Sequence, residues 1–122
     1  LFSETQHDSL TLKLIDYEKA TTNEIGILTI DSLVTEKNIQ RFGTEIANLW
    51  EVGKPEKDNG LLITISKYDR NIAISTGLGT EKTISDYECK VIIESIMVPQ
   101  FKNNNYYEGV TKALDSLFIL WD

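Results

Sequence analysis

Leu61-Leu62-Ile63-Thr64-Ile65-Ser66 and Asn71-Ile72-Ala73-Ile74-Ser75-Thr76 are two apolar runs rich in β-branched residues, separated only by Lys67-Tyr68-Asp69-Arg70. Such runs favour a pleated backbone, and so short a polar connection makes them an antiparallel hairpin. Turn residues bracket the pair: Asp58-Asn59-Gly60 precedes it and Gly77-Leu78-Gly79 follows it.

Upstream, Thr35 to Trp50 spaces Ile39, Phe42, Ile46, Leu49 and Trp50 along one face of a helix. Before that helix, Glu24 to Asp31 carries Ile25, Ile27, Leu28 and Ile30, the pattern of a mostly buried strand. Strand, helix and strand in succession predict parallel pairing through a right-handed crossover. Ser3 to Lys19 reads as an opening helix, with Ser3 and Gln6 at capping-box spacing. Beyond the hairpin, Ser85 or Asp86 caps a helix running to about Val98, where Pro99 is expected to stop it. A turn at Asn103 to Asn105 leads into a last helix from Tyr106, with Val110, Ala113, Leu114 and Leu117 at core spacing. The whole order predicts a layered α/β domain with a small mixed sheet and about four helices.

A chain of 122 residues suits one domain, and a 41% hydrophobic content suffices for a core. The net charge of −7 argues against nucleic acid as a partner, because neutralising phosphates requires a basic face. Cys89 is the single cysteine, so no internal disulfide forms, and it is expected to be partly buried on a helix. No apolar stretch approaches the roughly 18–20 residues of a membrane span. A chain opening at Leu1 instead of Met points to a processed protein or a fragment. A monomer is expected.

The topology makes a geometric prediction. The start of the second strand and the end of the third share one sheet edge, so Asp58-Asn59-Gly60 meets Gly77-Leu78-Gly79-Thr80-Glu81 there. The end of the second helix, with Trp50, and the start of the next, with Asp86, point to the same rim. Carboxylates, an amide oxygen and loop carbonyls are hard ligands that suit Ca²⁺ or Mg²⁺. Glycines at 60, 77 and 79 would let backbone carbonyls approach such an ion. Turn chemistry also explains each piece separately: Asp-Asn-Gly as a turn, Asp86 as a helix cap, Gly-x-Gly as a strand exit.

Other candidates read as structural. Gly77-x-Gly79 lacks the third glycine of a dinucleotide fingerprint. Asp31 follows a buried strand but belongs on the opposite sheet edge, as a cap or turn residue. His7 is expected on an exposed helix surface, and Trp50 and Trp121 in core or core-rim packing.

Taken together the chain resembles the TPM domain family. The matching pieces include Ile27-Leu28-Thr29-Ile30-Asp31-Ser32-Leu33, Trp50-Glu51-Val52-Gly53 and Asp58-Asn59-Gly60-Leu61-Leu62-Ile63. They continue in order through Arg70, Ile74-Ser75-Thr76-Gly77-Leu78-Gly79-Thr80-Glu81, Asp86, Val98-Pro99-Gln100-Phe101 and Tyr106-Tyr107-Glu108-Gly109. Family members usually open with a short extended segment bearing an Asp. This chain starts inside that feature, at Leu1-Phe2-Ser3, so residues 1–122 are expected to form a single domain lacking its first few residues.

The resemblance implies a Rossmann-like three-layer α/β/α sandwich. It also implies a divalent-cation site carried over to Asp58, Asn59, Glu81 and Asp86, with Ca²⁺ or Mg²⁺ as the ion. Family members are often exported or envelope-associated, sometimes with a membrane anchor, and plant thylakoid-lumen relatives are linked to photosystem repair and acid phosphatase activity. Two functions therefore compete. One is a cation-binding accessory module of an envelope or membrane-associated complex, extracytoplasmic in the full-length protein. The other is a metal-assisted acid phosphatase acting on phosphomonoesters, with Asp86 or Glu81 as general base and Lys54, Lys57 and Lys82 the basic residues near the rim.

Overall fold

The computed structural model describes residues 1–33, 38–50, 52–53 and 59–121. Three strands, β1 (Glu24–Ile30), β2 (Gly60–Ser66) and β3 (Asn71–Thr76), form one mixed sheet in the order β1-β2-β3. As expected, β1 pairs parallel with β2, Glu24 opposite Gly60 and Ile30 opposite Ser66. The hairpin partner β3 runs antiparallel, Leu61 opposite Thr76 and Ser66 opposite Asn71.

Five helices accompany the sheet among the described residues. They are α1 (Glu4–Thr21), α2 (Ile39–Leu49), the single turn α3 (Leu78–Glu81), α4 and α5 (Tyr106–Trp121). The fourth, α4, is α over Asp86–Ile92, π over Ile93–Met97 and α again over Val98–Lys102. The sequence pattern misses α3 because Gly-x-Gly disfavours helix, yet Gly77 takes the extended N-cap backbone and the turn closes behind it.

Pro99 does not end its helix. It falls at the opening of the turn after the π segment. Wide i→i+5 bonding just before it reorganises the backbone where a proline would otherwise break the α ladder.

Capping follows the sequence closely. Ser3 and Gln6 make a reciprocal capping box on α1. Ser85, rather than Asp86, caps α4, again reciprocally with Glu88. Asn38 caps α2 through Arg41, so the expected start at Thr35 lies outside the described residues.

The strand alternation of β2 separates two packing environments. Leu61, Ile63 and Ile65 join Ile74, Met97, Val110, Leu114 and Leu117 in the main core. Each such side chain, fully removed from water, stabilises the fold by about 1.5–3 kcal/mol. On the other face α2 lies close: a Cβ at Gly43 would sit 2.7 Å from Thr64 Oγ1 and 2.8 Å from Ser75 Oγ. Gln40 of α2 donates its Nε2 to the Ile74 carbonyl at 3.0 Å, pinning the helix to edge strand β3.

The apolar face expected of α2 is only partly used. Ile39 is buried, but Leu49 and Trp50 are 74% and 54% exposed, so Trp50 is not a core residue. Gly43, midway along the helix, sets its closest approach to the sheet, and the exposed Leu49 and Trp50 lie at its C-terminal end. Trp121 is half-buried and does pack, with its ring 6.2 Å from that of Tyr17. Cys89 is buried and His7 exposed, both as expected. No helix of the described residues is long and apolar enough to cross a membrane.

Candidate functional site

Backbone contacts build the expected rim. Gly77 N–H donates to the Gly60 carbonyl at 3.0 Å, joining the end of β3 to the start of β2. The buried Thr80 hydroxyl donates to the same oxygen at 2.9 Å, drawing α3 in. Glu81 N–H then donates to the Gly77 carbonyl at 3.0 Å, placing Glu81 at the end of that turn.

The exit of α2 reaches this edge too. Gly53 adopts φ +97°, which glycine accepts at no steric cost. Its neighbour Val52 presses its carbonyl against Gly60 so tightly that any Cβ at Gly60 would overlap it. Residues 52–53, 59–60 and 77–81 therefore do meet, as the topology requires.

Asn59 is largely buried and braces the site. Its Nδ2 donates to the Thr22 carbonyl at 2.7 Å, and its own carbonyl accepts from Glu24 N–H at 3.2 Å. Thr22 is the C-cap of α1, in a left-handed conformation with φ 68°. Asn59 thus ties the end of α1 and the start of β1 to the rim, a part that Asp-Asn-Gly turn chemistry does not reveal.

Among the carboxylates, Asp58 lies outside the described residues. Glu81 is exposed and enters no ion pair with a described residue. Asp86, also exposed and in no ion pair with a described residue, is the first residue of α4, freed from capping by Ser85. It lines a cleft along the outer strand β3, with Asn71, Ile72 and Ile74 of that strand and Gln40 of α2, and none of residues 52–53, 59–60 or 77–81 is among the described residues lining it. Burial, then the nearby charges of Asp86 and Glu88, pushes the Cys89 thiol up to about 11, which removes it as a nucleophile at neutral pH.

The donor set fits a hard cation in kind but is short in number. Among the described residues no three His, Cys, Asp or Glu side chains cluster tightly enough to hold a metal ion. The expected role of the glycine carbonyls also changes. That of Gly60 accepts two hydrogen bonds and that of Gly77 accepts one, all within the fold. With both lone pairs used, the Gly60 oxygen is a structural hub instead of a ligand.

A second cluster, at the opposite end of the sheet, escapes sequence reasoning. Lys67 and Arg70 of the hairpin loop face Lys102 of α4 across a cleft of about 300 Å³. The seven residues of β2 separate the two ends by roughly 20 Å. The one local signal for it is Arg70, which holds φ +52° in the turn where glycine or asparagine would be usual.

Family comparison agrees with this architecture. A family model described as the TPM domain matches residues 1–119. The chain belongs to the TPM domain family.

Solved structures share the TPM fold seen here. The N-terminal domain of a protein from P. gingivalis, solved by NMR, superposes with a TM-score of 0.89 at 26% identity, over 100% of this chain and 77% of that one. The BA42 protein of the psychrophilic bacterium Bizionia argentinensis gives 0.81 at 18% identity, over 99% and 81%. The N-terminal domain of cg2496 from Corynebacterium glutamicum gives 0.74 at 11% identity, over 99% and 74%. No curated protein has a sequence that matches this TPM domain.

Proposed function

We propose that this TPM domain binds a divalent cation, Ca²⁺ or Mg²⁺, at the rim between β2, β3 and α3, and serves as an accessory module of an envelope or membrane-associated complex. The observation that carries the reading is the closure of residues 52–53, 59–60 and 77–81 around Gly60, with Glu81 exposed at its end and in no ion pair with a described residue. Asp58, adjacent in sequence to the anchored Asn59, and Asp86 are the further carboxylates that the resemblance assigns to the ion. Oxygen donors of this kind match the preference of hard cations for carboxylate and amide oxygens. Leu49 and Trp50, exposed where α2 leads into the same rim, give a protein partner an apolar foothold. Helices on both faces of the sheet support the Rossmann-like three-layer description.

The phosphatase alternative draws less support. A phosphoryl group bound at the metal needs compensating positive charge, and Lys82 is the described basic residue beside α3. The hairpin cations lie roughly 20 Å away along β2.

Titration of Ca²⁺ and of Mg²⁺ into the isotope-labelled domain, followed by backbone amide shifts, tests the reading. Saturable shifts at residues 58–60, 77–82 and 86, weakened in Glu81→Gln, are expected. Scattered, non-saturating shifts over the acidic surface would overturn it.

A further inference from the structure

The hairpin end of the sheet holds a feature that the cation reading does not use. Lys67, Arg70 and Lys102 border one cleft of about 300 Å³, and among the described residues no Asp or Glu lines it. In a chain with 19 acidic and 12 basic residues, such a segregation of charge is a local departure from the overall balance. None of the three forms an ion pair with a described residue, and Lys67 Nζ lies over the Tyr68 ring, 5.3 Å from its centroid.

Nearby negative groups are turned to other work. Asp69 sits in the same loop, but its Oδ2 accepts from Ser66 Oγ at 2.6 Å and from Leu33 N–H at 2.7 Å. The carbonyls ending α4 are also satisfied: that of Gln100 accepts from Asn103 and Asn105, and that of Phe101 from Asn104. The cleft therefore presents cations over a floor that includes Ile65, Ile72 and Phe101.

Arg70 is the telling residue. Its backbone holds φ +52°, a conformation that disfavours a side chain, and its guanidinium forms no ion pair with a described residue. That backbone closes the hairpin, its N–H donating to the Lys67 carbonyl at 3.3 Å, and carries the Arg70 side chain at the turn beside the cleft. A guanidinium offers paired N–H donors that match two oxygens of one oxyanion, which an ammonium does not. The volume lies at the lower end of small-molecule sites.

We propose that this cleft binds a small amphipathic oxyanion: a carboxylate or phosphate head held between Arg70, Lys67 and Lys102, with an apolar body on Ile65, Ile72 and Phe101. The site is independent of the cation rim, and either can fail alone.

The test uses benzoate and phenyl phosphate as probes and benzyl alcohol as the uncharged control, each titrated into the labelled domain. Saturable amide shifts at residues 66–72 and 98–106 are expected with an anion and not with the alcohol. Whichever anion binds more tightly identifies the head group. Arg70→Gly is the decisive variant, since glycine adopts φ +52° freely and the fold should melt at the same or a higher temperature. Its affinity should fall about tenfold or more, with a smaller loss in Lys102→Gln. Absence of saturation by either anion, equal response to the alcohol, or unchanged affinity in a folded Arg70→Gly would overturn the proposal.

Discussion

The Thr80 hydroxyl donates to the carbonyl of Gly60 at 2.9 Å, a fully buried bond between residues twenty apart in sequence. It fastens α3, and with it Glu81, to the first residue of β2. The Gly60 carbonyl is held a second time by Gly77 N–H, so the rim closes on one oxygen.

Thr80→Val keeps the shape of the side chain and deletes that donor. Because Gly60 retains its bond from Gly77, the expected loss is about 1 kcal/mol in urea unfolding. Amide shifts should concentrate at residues 77–82. An unchanged unfolding midpoint would mean that the hydroxyl bond contributes nothing beyond packing.

Gly43→Ala sets helix propensity against space. Alanine is favoured in a helix by about 1 kcal/mol over glycine. Here its Cβ would stand 2.7 Å from Thr64 Oγ1 and 2.8 Å from Ser75 Oγ, atoms held on the sheet. We expect the clash to win, with a net destabilisation of about 1–3 kcal/mol by chemical denaturation. A variant as stable as the parent would show that α2 can lift from the sheet without cost.

Cys89 makes a pH prediction. Its folded pKa is raised from an ordinary 9.0 to about 11, by burial first and by the Asp86 and Glu88 charges second. Above pH 9 the unfolded thiol releases its proton while the folded one keeps it, so the unfolded state gains. The thiol's contribution is therefore complete below pH 9 and is lost as pH rises toward 11. Comparing stability–pH curves of the parent and Cys89→Ala isolates it from lysine and tyrosine titration. Parallel curves between pH 9 and 11 would refute the shift.

Asp69 has the opposite sign. Hydrogen bonds from Ser66 Oγ and Leu33 N–H hold its carboxyl below the ordinary 3.8. The tie between hairpin and β1 exit is thus present at neutral pH and fades as pH falls through that lowered value. Carboxyl titration by NMR should give a midpoint under 3.8, and Asp69→Asn should speed hydrogen exchange at Leu33. A midpoint at or above 3.8 would contradict the bonded geometry.

Local chemistry made several elements legible. Ser3 with Gln6 and Ser85 with Glu88 are reciprocal caps that one turn of chain contains entirely. The β-branched runs on either side of Lys67-Tyr68-Asp69-Arg70 carry their hairpin with them. The convergence at Gly60 also follows from strand order alone, since a parallel crossover and a hairpin leave those loops no other edge.

What resisted reading depends on partners distant in sequence. Pro99 looks like a stop because a proline lacks the donor an α ladder needs, and the π turn before it is invisible without the packing. Trp50 looks like core because its spacing matches Ile39 and Ile46, but the helix reaches the sheet through Gly43 and leaves the tryptophan outside. Asn59 reads as a turn residue, whereas its side chain is spent on Thr22, thirty-seven residues upstream.

The sequence by itself determined the strands and longer helices, their order, the pairing of the strands and which loops share an edge, because periodicity, caps and turns act within a few residues. Only the tertiary structure decided which oxygens at the rim are bonded within the fold, the Gly60 carbonyl twice over. It alone gathered Lys67, Arg70 and Lys102 into one cleft, since burial and charge compensation depend on side chains that meet across the whole chain.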